Sequence, residues 1–300
     1  MSYFDTMMFK KIVILALLVL TKKSSDAQTY ESYQHKGEIG VGIGLSNYFG
    51  DLNPDENFKR LKWAGNLYYQ YYLNNYVGLK LSGLYTRLGN SDVYNSNPAY
   101  RMRNLSFNTD IWEVTVNGTF NFFNFLPGIP GHRFTPYIAA GVGVFNYNPY
   151  TYLNVDGTEE KVFLRPLGTE GQNSTTPHEG KKYSSMAMAF PLSLGAKYAL
   201  TENLNIFAEI GYRFTTTDYL DDVSTTYAGP QAFLPSTYNG TPKDLWYAQR
   251  LQDRSGSVVA QPIGNTGMSR GNSRAKDSYI IGLVGVSFNI NGYKCPPSAP

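Results

Sequence analysis

The segment Ile111-Trp-Glu-Val-Thr-Val-Asn-Gly-Thr-Phe-Asn-Phe122 alternates between two kinds of side chain. Trp112, Val114 and Val116 fall on one face, and polar residues such as Thr115 fall on the other. A period of two predicts a β-strand between an apolar and a polar environment. This pattern is typical of a transmembrane β-barrel, because in lipid every backbone amide must be paired and only helices and closed barrels achieve that.

Seven further segments show a comparable alternation. The eight predicted strands span residues 38–48, 61–73, 76–88, 107–125, 134–148, 184–200, 204–217 and 277–290. Their connections are alternately short (73–76, 126–133, 200–204) and long (49–60, 89–106, 149–183, 218–276). Outer-membrane barrels combine an even strand count with short periplasmic turns and long outer loops. The sequence therefore predicts an all-β fold, an eight-stranded antiparallel transmembrane β-barrel with short periplasmic turns and long extracellular loops.

A soluble β-sandwich or lipocalin-like barrel is the alternative, with its apolar face inside. The alternation alone does not decide which face is inside. A secretion signal, the alternation of loop lengths and the tyrosines at strand ends favour the membrane. These tyrosines are Tyr69, Tyr71, Tyr72 and Tyr76.

The N-terminus has the features of a secretory signal peptide. Lys10 and Lys11 precede the apolar run Ile12–Leu20, and Ser25-Asp-Ala27 provides a possible cleavage site. The predicted organisation is a cleaved signal peptide (1–27), a periplasmic N-terminal tail (28–37), an outer-membrane barrel (38–290) and a periplasmic C-terminal tail (291–300). The expected location is the outer membrane of a Gram-negative bacterium, with membrane lipid as one partner.

Composition argues against nucleic-acid binding and catalysis. The formal net charge is +3, but four lysines lie in the predicted leader, so the mature chain is close to neutral. His35, His132 and His178 fall in different parts of the predicted barrel and cannot meet. His178 with Ser184 could resemble a hydrolase site, but nothing in the pattern holds the two in geometry. We expect no enzyme activity, no metal and no cofactor.

The polar face of the predicted strands carries six charged residues, Glu38, Lys80, Glu113, Lys197, Glu209 and Arg213. An eight-stranded barrel is only wide enough to be filled by its own side chains. Charges in such a lumen should pair, because an unpaired buried charge is strongly destabilising. A closed, ion-paired interior is therefore expected, and an ion or proton pathway is the alternative.

The last long connection is rich in Pro, Gly, Ser and Asn and becomes basic from Lys243 onward. Its cations are Lys243, Arg250, Arg254, Arg270, Arg274 and Lys276. A loop of this length is usually either functional or disordered. The basic stretch could bind lipopolysaccharide phosphates or a partner protein, or it could be an ordinary solvated loop.

Four segments resemble a PorG-like family of outer-membrane barrels associated with the type IX secretion system: Gly37–Leu52, Thr135–Pro149, Pro166–Gln172 and the ending Tyr293-Lys-Cys-Pro296. The connection 218–276 is longer than the family pattern suggests. The resemblance implies an eight-stranded barrel that contacts the periplasmic ring subunits of the secretion machine.

The resulting expectation is a non-enzymatic structural or interaction component of that machine. The C-terminal residues Tyr293, Lys294, Cys295 and Pro296 are a candidate partner-binding arm, kept extended by proline. The alternative is an OmpA-like barrel whose outer loops bind an external ligand or stabilise the envelope.

Overall fold

The computed structural model describes residues 33–293, with side-chain detail from Lys36 to Ile290. Eight antiparallel strands form a ring in the order β3-β2-β1-β10-β9-β8-β5-β4, and pairing of β4 with β3 closes it. The ring strands are β1 (Tyr33–Phe49), β2 (Lys62–Tyr72), β3 (Val77–Ser91), β4 (Ser106–Asn121), β5 (Phe134–Asn146), β8 (Met186–Ala199), β9 (Leu204–Thr215) and β10 (Ser278–Tyr293). The predicted eight-stranded antiparallel barrel is confirmed.

The barrel has an apolar exterior and a polar interior. On β4, the outward Val116 is 45% exposed, whereas the neighbouring Thr115 is 3% exposed and points inside. The register places Val116 beside Leu81 of β3 and Val142 of β5, so large apolar side chains form a continuous outer surface. This arrangement is the reverse of a soluble barrel, in which the apolar face lies inside.

Exposed aromatic residues border this apolar surface towards both ends of the strands. Near the long connections lie Trp63, Tyr85, Trp112, Phe190 and Phe214, and towards the short turns lie Tyr69, Tyr71, Tyr76, Phe120, Phe122, Phe134, Tyr198 and Phe288. Tyr72 differs from the expected pattern. It is 5% exposed, because it lies on the same face of β2 as the inward-pointing Tyr68 and Gln70. Inside the barrel, its hydroxyl accepts a hydrogen bond from Lys197.

Local chemistry explains the short turns. The Asn74 side chain accepts hydrogen bonds from the backbone N–H groups of Tyr76 and Val77, at 2.9 and 2.8 Å. The Thr201 hydroxyl does the same for Leu204, at 3.1 Å. Such side-chain bonds replace backbone bonds in tight turns. Gly131, with φ of 83°, provides the left-handed backbone that the turn 126–133 requires.

Gly40 and Gly42 on β1 make room for bulky neighbours inside the barrel. A Cβ atom at Gly40 would lie 2.3 Å from the Tyr68 ring, and one at Gly42 would lie 3.0 Å from Phe207. These glycines therefore serve interior packing, as expected for a strand rather than a phosphate-binding loop.

The long connections fold into an ordered structure, here called the loop cap: residues 50–61, 92–105, 147–185 and 216–277. It contains the hairpin β6 (Tyr150–Val155) and β7 (Thr158–Phe163), the helices α1 (Pro98–Arg103) and α2 (Pro242–Leu251), and 3₁₀ turns at Asp92–Tyr94, Pro230–Phe233 and Ser255–Ser257. The segment 218–276 is thus ordered, because apolar residues such as Leu220, Phe233 and Leu251 are buried within the cap.

Both helices of the cap begin with a well-defined N-cap. Asn97 accepts a hydrogen bond from the Ala99 N–H, and Pro98 occupies the first helical position. Thr241 and Asp244 form a capping box at the start of α2. Neither helix is long and apolar enough to cross a membrane, and the same holds for every other helix within residues 33–293.

Some predicted segments extend beyond the described residues. The signal peptide (1–27), the first part of the N-terminal tail and Lys294, Cys295 and Pro296 lie outside them. Strand β1 begins at Tyr33 and β10 ends at Tyr293, so the strands continue past the predicted barrel limits of 38 and 290 at both ends.

Candidate functional site

The barrel interior brings together all six charged residues singled out in the sequence, in three ion pairs. Lys80 Nζ lies 2.6 Å from Glu209 Oε2, Lys197 pairs with Glu38, and Arg213 Nε lies 3.7 Å from Glu113 Oε1. Each of these side chains is at most 7% exposed. The strand alternation alone directs them inward, and their opposite charges then meet across the lumen.

Tyrosines and amides add hydrogen bonds to the carboxylates of these pairs. Tyr137 donates to Glu209 at 2.7 Å, and Tyr68 donates to Glu38 at 2.9 Å. Tyr279 donates to Glu113, the acid paired with Arg213. Such hydrogen bonds offset part of the cost of burying an ion pair, and in the third pair Nε and Nη1 of Arg213 are buried without a hydrogen-bond partner. Chemically, this network fills the lumen and fixes side-chain positions across the barrel.

A second polar network lies at the centre of the loop cap, around Glu170. Arg270 Nη1 lies 3.1 Å from Glu170 Oε1 and donates at 2.6 Å to the carbonyl oxygen of Asp222. Glu170 also accepts bonds from the backbone N–H groups of Ser224 and Thr225. Glu170 and Arg270 are almost fully buried. Glu170 therefore ties the segment Pro166–Gln172 to the distant connection 218–276.

Arg103 forms a neighbouring buried pair in the cap. Its Nη2 atom lies 2.7 Å from Asp92 Oδ1, and its Nη1 atom donates to the carbonyl oxygen of Arg270 at 2.5 Å. The pair with Asp92 and burial act in opposite directions on the Arg103 pKa, and the result is a raised value. Helix α1 is thereby fixed to the last long connection.

Several carboxyl groups of the cap have pKa values above the ordinary range. Burial raises the pKa of Asp218 to about 7, although its hydrogen bond from Ser224 lowers it. Burial also raises the pKa of Asp222 to about 6. Asp221 and Asp277 both lie within hydrogen-bond distance of the Tyr48 hydroxyl, at 2.6 and 2.8 Å. Burial, reinforced by other carboxylates nearby, raises both their pKa values well above the ordinary range.

A polar cleft of about 490 Å³ opens in the loop cap beside these acids. Tyr183 and Tyr219 stack in its wall, with ring centroids 4.4 Å apart. Asp218, Lys181 and Lys276 supply charge along its lining. Such a set of hydroxyl, carboxyl and ammonium groups can bind a small polar ligand through hydrogen bonds.

The histidines and the basic stretch do not assemble into a site. His178 contacts the carbonyl oxygen of Thr176, and it is not among the residues that line the cleft containing Ser184. Within residues 33–293, no group of three or more His, Cys, Asp and Glu side chains could hold a metal ion. Arg270 is buried in an ion pair, whereas Arg250 stacks on Trp246 at 3.6 Å. The cations of the basic stretch are therefore divided between the core of the cap and its exterior.

The Glu170 and Arg270 pair has no direct sign in the sequence, because the two residues are 100 positions apart. One local signal was available for α2. Thr241 followed three residues later by Asp244 predicts a helix start within the last connection.

Comparison with solved structures gives several outer-membrane proteins of low sequence identity. Neisserial surface protein A (NspA) is 11% identical, with a TM-score of 0.38 over 85% of this chain and 97% of that chain. Ail of Yersinia pestis is 13% identical, with a TM-score of 0.36 over 85% and 99%. The outer membrane protein OprG of Pseudomonas aeruginosa is 9% identical, with a TM-score of 0.34 over 86% and 98%.

Sequence comparison gives one family. No curated protein matches the chain. The family profile described as "Domain of unknown function (DUF6089)" matches residues 10–164, more than half of the sequence and all strands from β1 to β7. The chain belongs to the DUF6089 family.

Proposed function

We propose that the protein is a non-catalytic outer-membrane β-barrel that acts as a structural or interaction component of the cell envelope. The observation that carries this proposal is the apolar exterior around a polar, ion-paired interior. An outward band of Leu, Ile, Val and aromatic residues is stable in lipid and unfavourable in water. The orientation that follows places the short turns in the periplasm and the loop cap outside the cell.

The filled interior supports a scaffold rather than a pore. Three ion pairs and the rings of Tyr68, Tyr137 and Phe207 occupy the lumen, and all are buried. An eight-stranded barrel has no space for a channel beside such side chains. The working surfaces of the protein are therefore its two ends.

The assembly that the sequence resemblance favours is the type IX protein secretion machinery. In that role the periplasmic end would contact ring subunits of the machine. The candidate surface comprises the turns 73–76, 126–133 and 200–204 and the chain ends, including Tyr293, Lys294, Cys295 and Pro296.

Cross-linking from Cys295 tests this role in intact cells. The matched control is Cys295→Ser, which lacks the only thiol of the chain. A second variant ends at Tyr293, which preserves all of β10. We expect a ring subunit linked to Cys295, and lost secretion with normal barrel assembly in the truncated variant. Normal secretion by that variant, with no ring subunit captured, would contradict the secretion role.

The loop cap supports a second candidate function, binding of an external ligand. The observation in its favour is the ordered polar cleft lined by Tyr183, Asp218 and Lys276. If secretion is normal in the truncated variant, substitution of Lys181 and Lys276 by Gln should weaken binding of the external ligand or reduce envelope stability. The exposed Lys182 and Lys243 provide matched control positions outside the lining.

A further inference from the structure

A group of cations lies where β2 and β3 meet the loop cap. This rim cluster consists of Arg60, Lys62 and Arg87. The Ser46 hydroxyl lies 3.4 Å from the carbonyl oxygen of Lys62 and 3.1 Å from that of Arg87, which brings the two strands together here. Lys62 is within electrostatic range of both Arg60 and Arg87. Three positive charges therefore lie at this part of the rim, with Arg87 on the outward face of β3 and Lys62 on the face of β2 that also carries the buried Ala64.

Two more cations lie beside the rim cluster, around Tyr94. Arg60 donates to the Tyr94 hydroxyl at 3.1 Å, and Lys59 donates to the Tyr94 carbonyl oxygen at 2.9 Å. Arg101 donates to the carbonyl oxygen of Ser96 at 2.9 Å. Carbonyl and hydroxyl acceptors position these side chains without neutralising them.

Few carboxylates face this area. Within residues 33–293, Lys59, Arg60, Lys62 and Arg101 have no Asp or Glu oxygen within ion-pair distance. Asp110 lies 2.7 Å from Arg87 and 3.8 Å from Lys161, so it compensates one of two cations. Asp55 accepts hydrogen bonds from Ser96. The surface keeps a net positive charge.

The rim cluster borders the apolar exterior at its aromatic edge. Arg87 lies two residues beyond Tyr85 on the outward face of β3, Trp63 is 75% exposed, and Tyr85 packs against Trp112 with ring centroids 4.6 Å apart. Exposed Tyr and Trp mark the level at which acyl chains meet headgroups. Cations immediately beyond that level lie at the depth of lipid phosphates.

We propose that the rim cluster binds the phosphate group of a lipid in the outer leaflet. Guanidinium and ammonium groups recognise phosphate oxygens by charge-assisted hydrogen bonds, while Trp63 and Tyr85 contact the upper acyl chain. This inference rests on the proposed membrane placement. It adds a specific ligand class, a phosphorylated glycolipid, to one side of the barrel.

The test is native mass spectrometry of the purified protein with diphosphoryl lipid A and with the same lipid after dephosphorylation. The variant is Arg60→Gln/Lys62→Gln/Arg87→Gln. The control is Lys182→Gln/Lys243→Gln/Arg274→Gln, which removes three exposed cations of the cap away from the aromatic edge. We expect the rim variant to lose at least about 10-fold in affinity for the diphosphoryl lipid, because it lacks three cations close to the lipid phosphates. The control should bind like wild type.

Equal binding by the rim variant and wild type, or equal binding of both lipids, would overturn the proposal. Displacement of the lipid by millimolar inorganic phosphate would instead identify a free-phosphate site and also overturn it. Insertion of wild type into nanodiscs, followed by the heat-dependent shift in gel mobility, tests the membrane placement separately. Insertion without phosphate-dependent binding would reject the lipid site alone, and failure to insert would reject the proposed function.

Discussion

Single residues decide which environment each face of a strand can occupy. On β4, consecutive residues change from 45% exposed at Val116 to 3% exposed at Thr115, although both side chains are β-branched and of similar size. The two side chains therefore differ in the direction in which they point and in their polarity, and not in their volume. This makes neighbouring positions on one strand suitable for testing the proposed membrane placement.

Val116→Arg should destabilise the inserted barrel by about 2–4 kcal/mol, because it places a charge near mid-membrane on the lipid side. The measurement is urea unfolding of protein folded into lipid vesicles. Thr115→Ser is the control, since it keeps the hydroxyl that accepts the Asn117 amide at 2.9 Å. Equal loss of stability at both positions would contradict the assigned facing.

Lys80→Met should cost about 3–5 kcal/mol, because Glu209 is then left buried without its cationic partner. The double variant Lys80→Met/Glu209→Gln should regain most of this free energy, since Gln still accepts the Tyr137 hydroxyl and carries no charge. The same unfolding measurement applies to both variants. A double variant no more stable than Lys80→Met would show that packing, and not charge, determines the loss.

At the scale of elements, the barrel strands and the loop cap differ in how far the sequence predicts them. The strands carry an alternation that is visible locally, and all eight were found at their predicted places. The six interior charges could be singled out for the same reason. Their pairing partners required the closed ring, because Lys80 and Glu209 are 129 positions apart.

The loop cap could not be predicted in the same way. Its core depends on contacts such as Tyr238 with the carbonyl oxygen of Leu167, which are distant in sequence. The strands of the hairpin β6–β7 have only six residues each, and β7 begins with four polar residues, so the alternation is weak. Abundant Pro, Gly and Ser between Tyr219 and Lys276 indicate a loop, yet the same residues also form the tight turns of an ordered cap.

The loop cap should become more stable as the pH falls from 8 to 5. The ordinary pKa of an Asp is 3.8, and burial raises that of Asp218 to about 7 in the folded cap. The stabilisation that protonated Asp218 gives the folded cap is fully present below pH 3.8 and is lost as the pH rises through 7. Hydrogen exchange of the cap amides, corrected for intrinsic exchange rates, measures the stability of the cap at each pH. Asp218→Asn should reduce the pH dependence, and an unchanged pH dependence in that variant would assign the effect to other acids.

At the scale of the whole molecule, the barrel holds its two ends in a fixed relation. The interior network connects strands on opposite sides of the ring, from Lys80 on β3 to Glu209 on β9. The cap in turn is linked to the barrel through Tyr48 of β1 and the carboxylates of Asp221 and Asp277. Buried polar contacts therefore join the strands to one another and the barrel to the loop cap.

Purified protein in planar bilayers should carry no steady ion current, because the lumen is occupied by paired side chains. Wild type reconstituted at known density is compared with a porin as a positive control. Removal of the Lys197 and Glu38 pair by Lys197→Met/Glu38→Gln should also give no current, since the neighbouring rings still fill the lumen. Reproducible single-channel steps from wild type would contradict the sealed interior.

The hairpin β6–β7 leaves one strand of the sheet with an open side. It joins the barrel through the pair Asn108 and Tyr150, so β7 is the last strand in the order. Unpaired backbone groups on a terminal strand can recruit a strand from a second molecule, and charged side chains discourage this. In β7, Glu159, Glu160 and Lys161 occupy three successive positions. These charges would thereby discourage neighbouring copies of the protein from pairing along this strand.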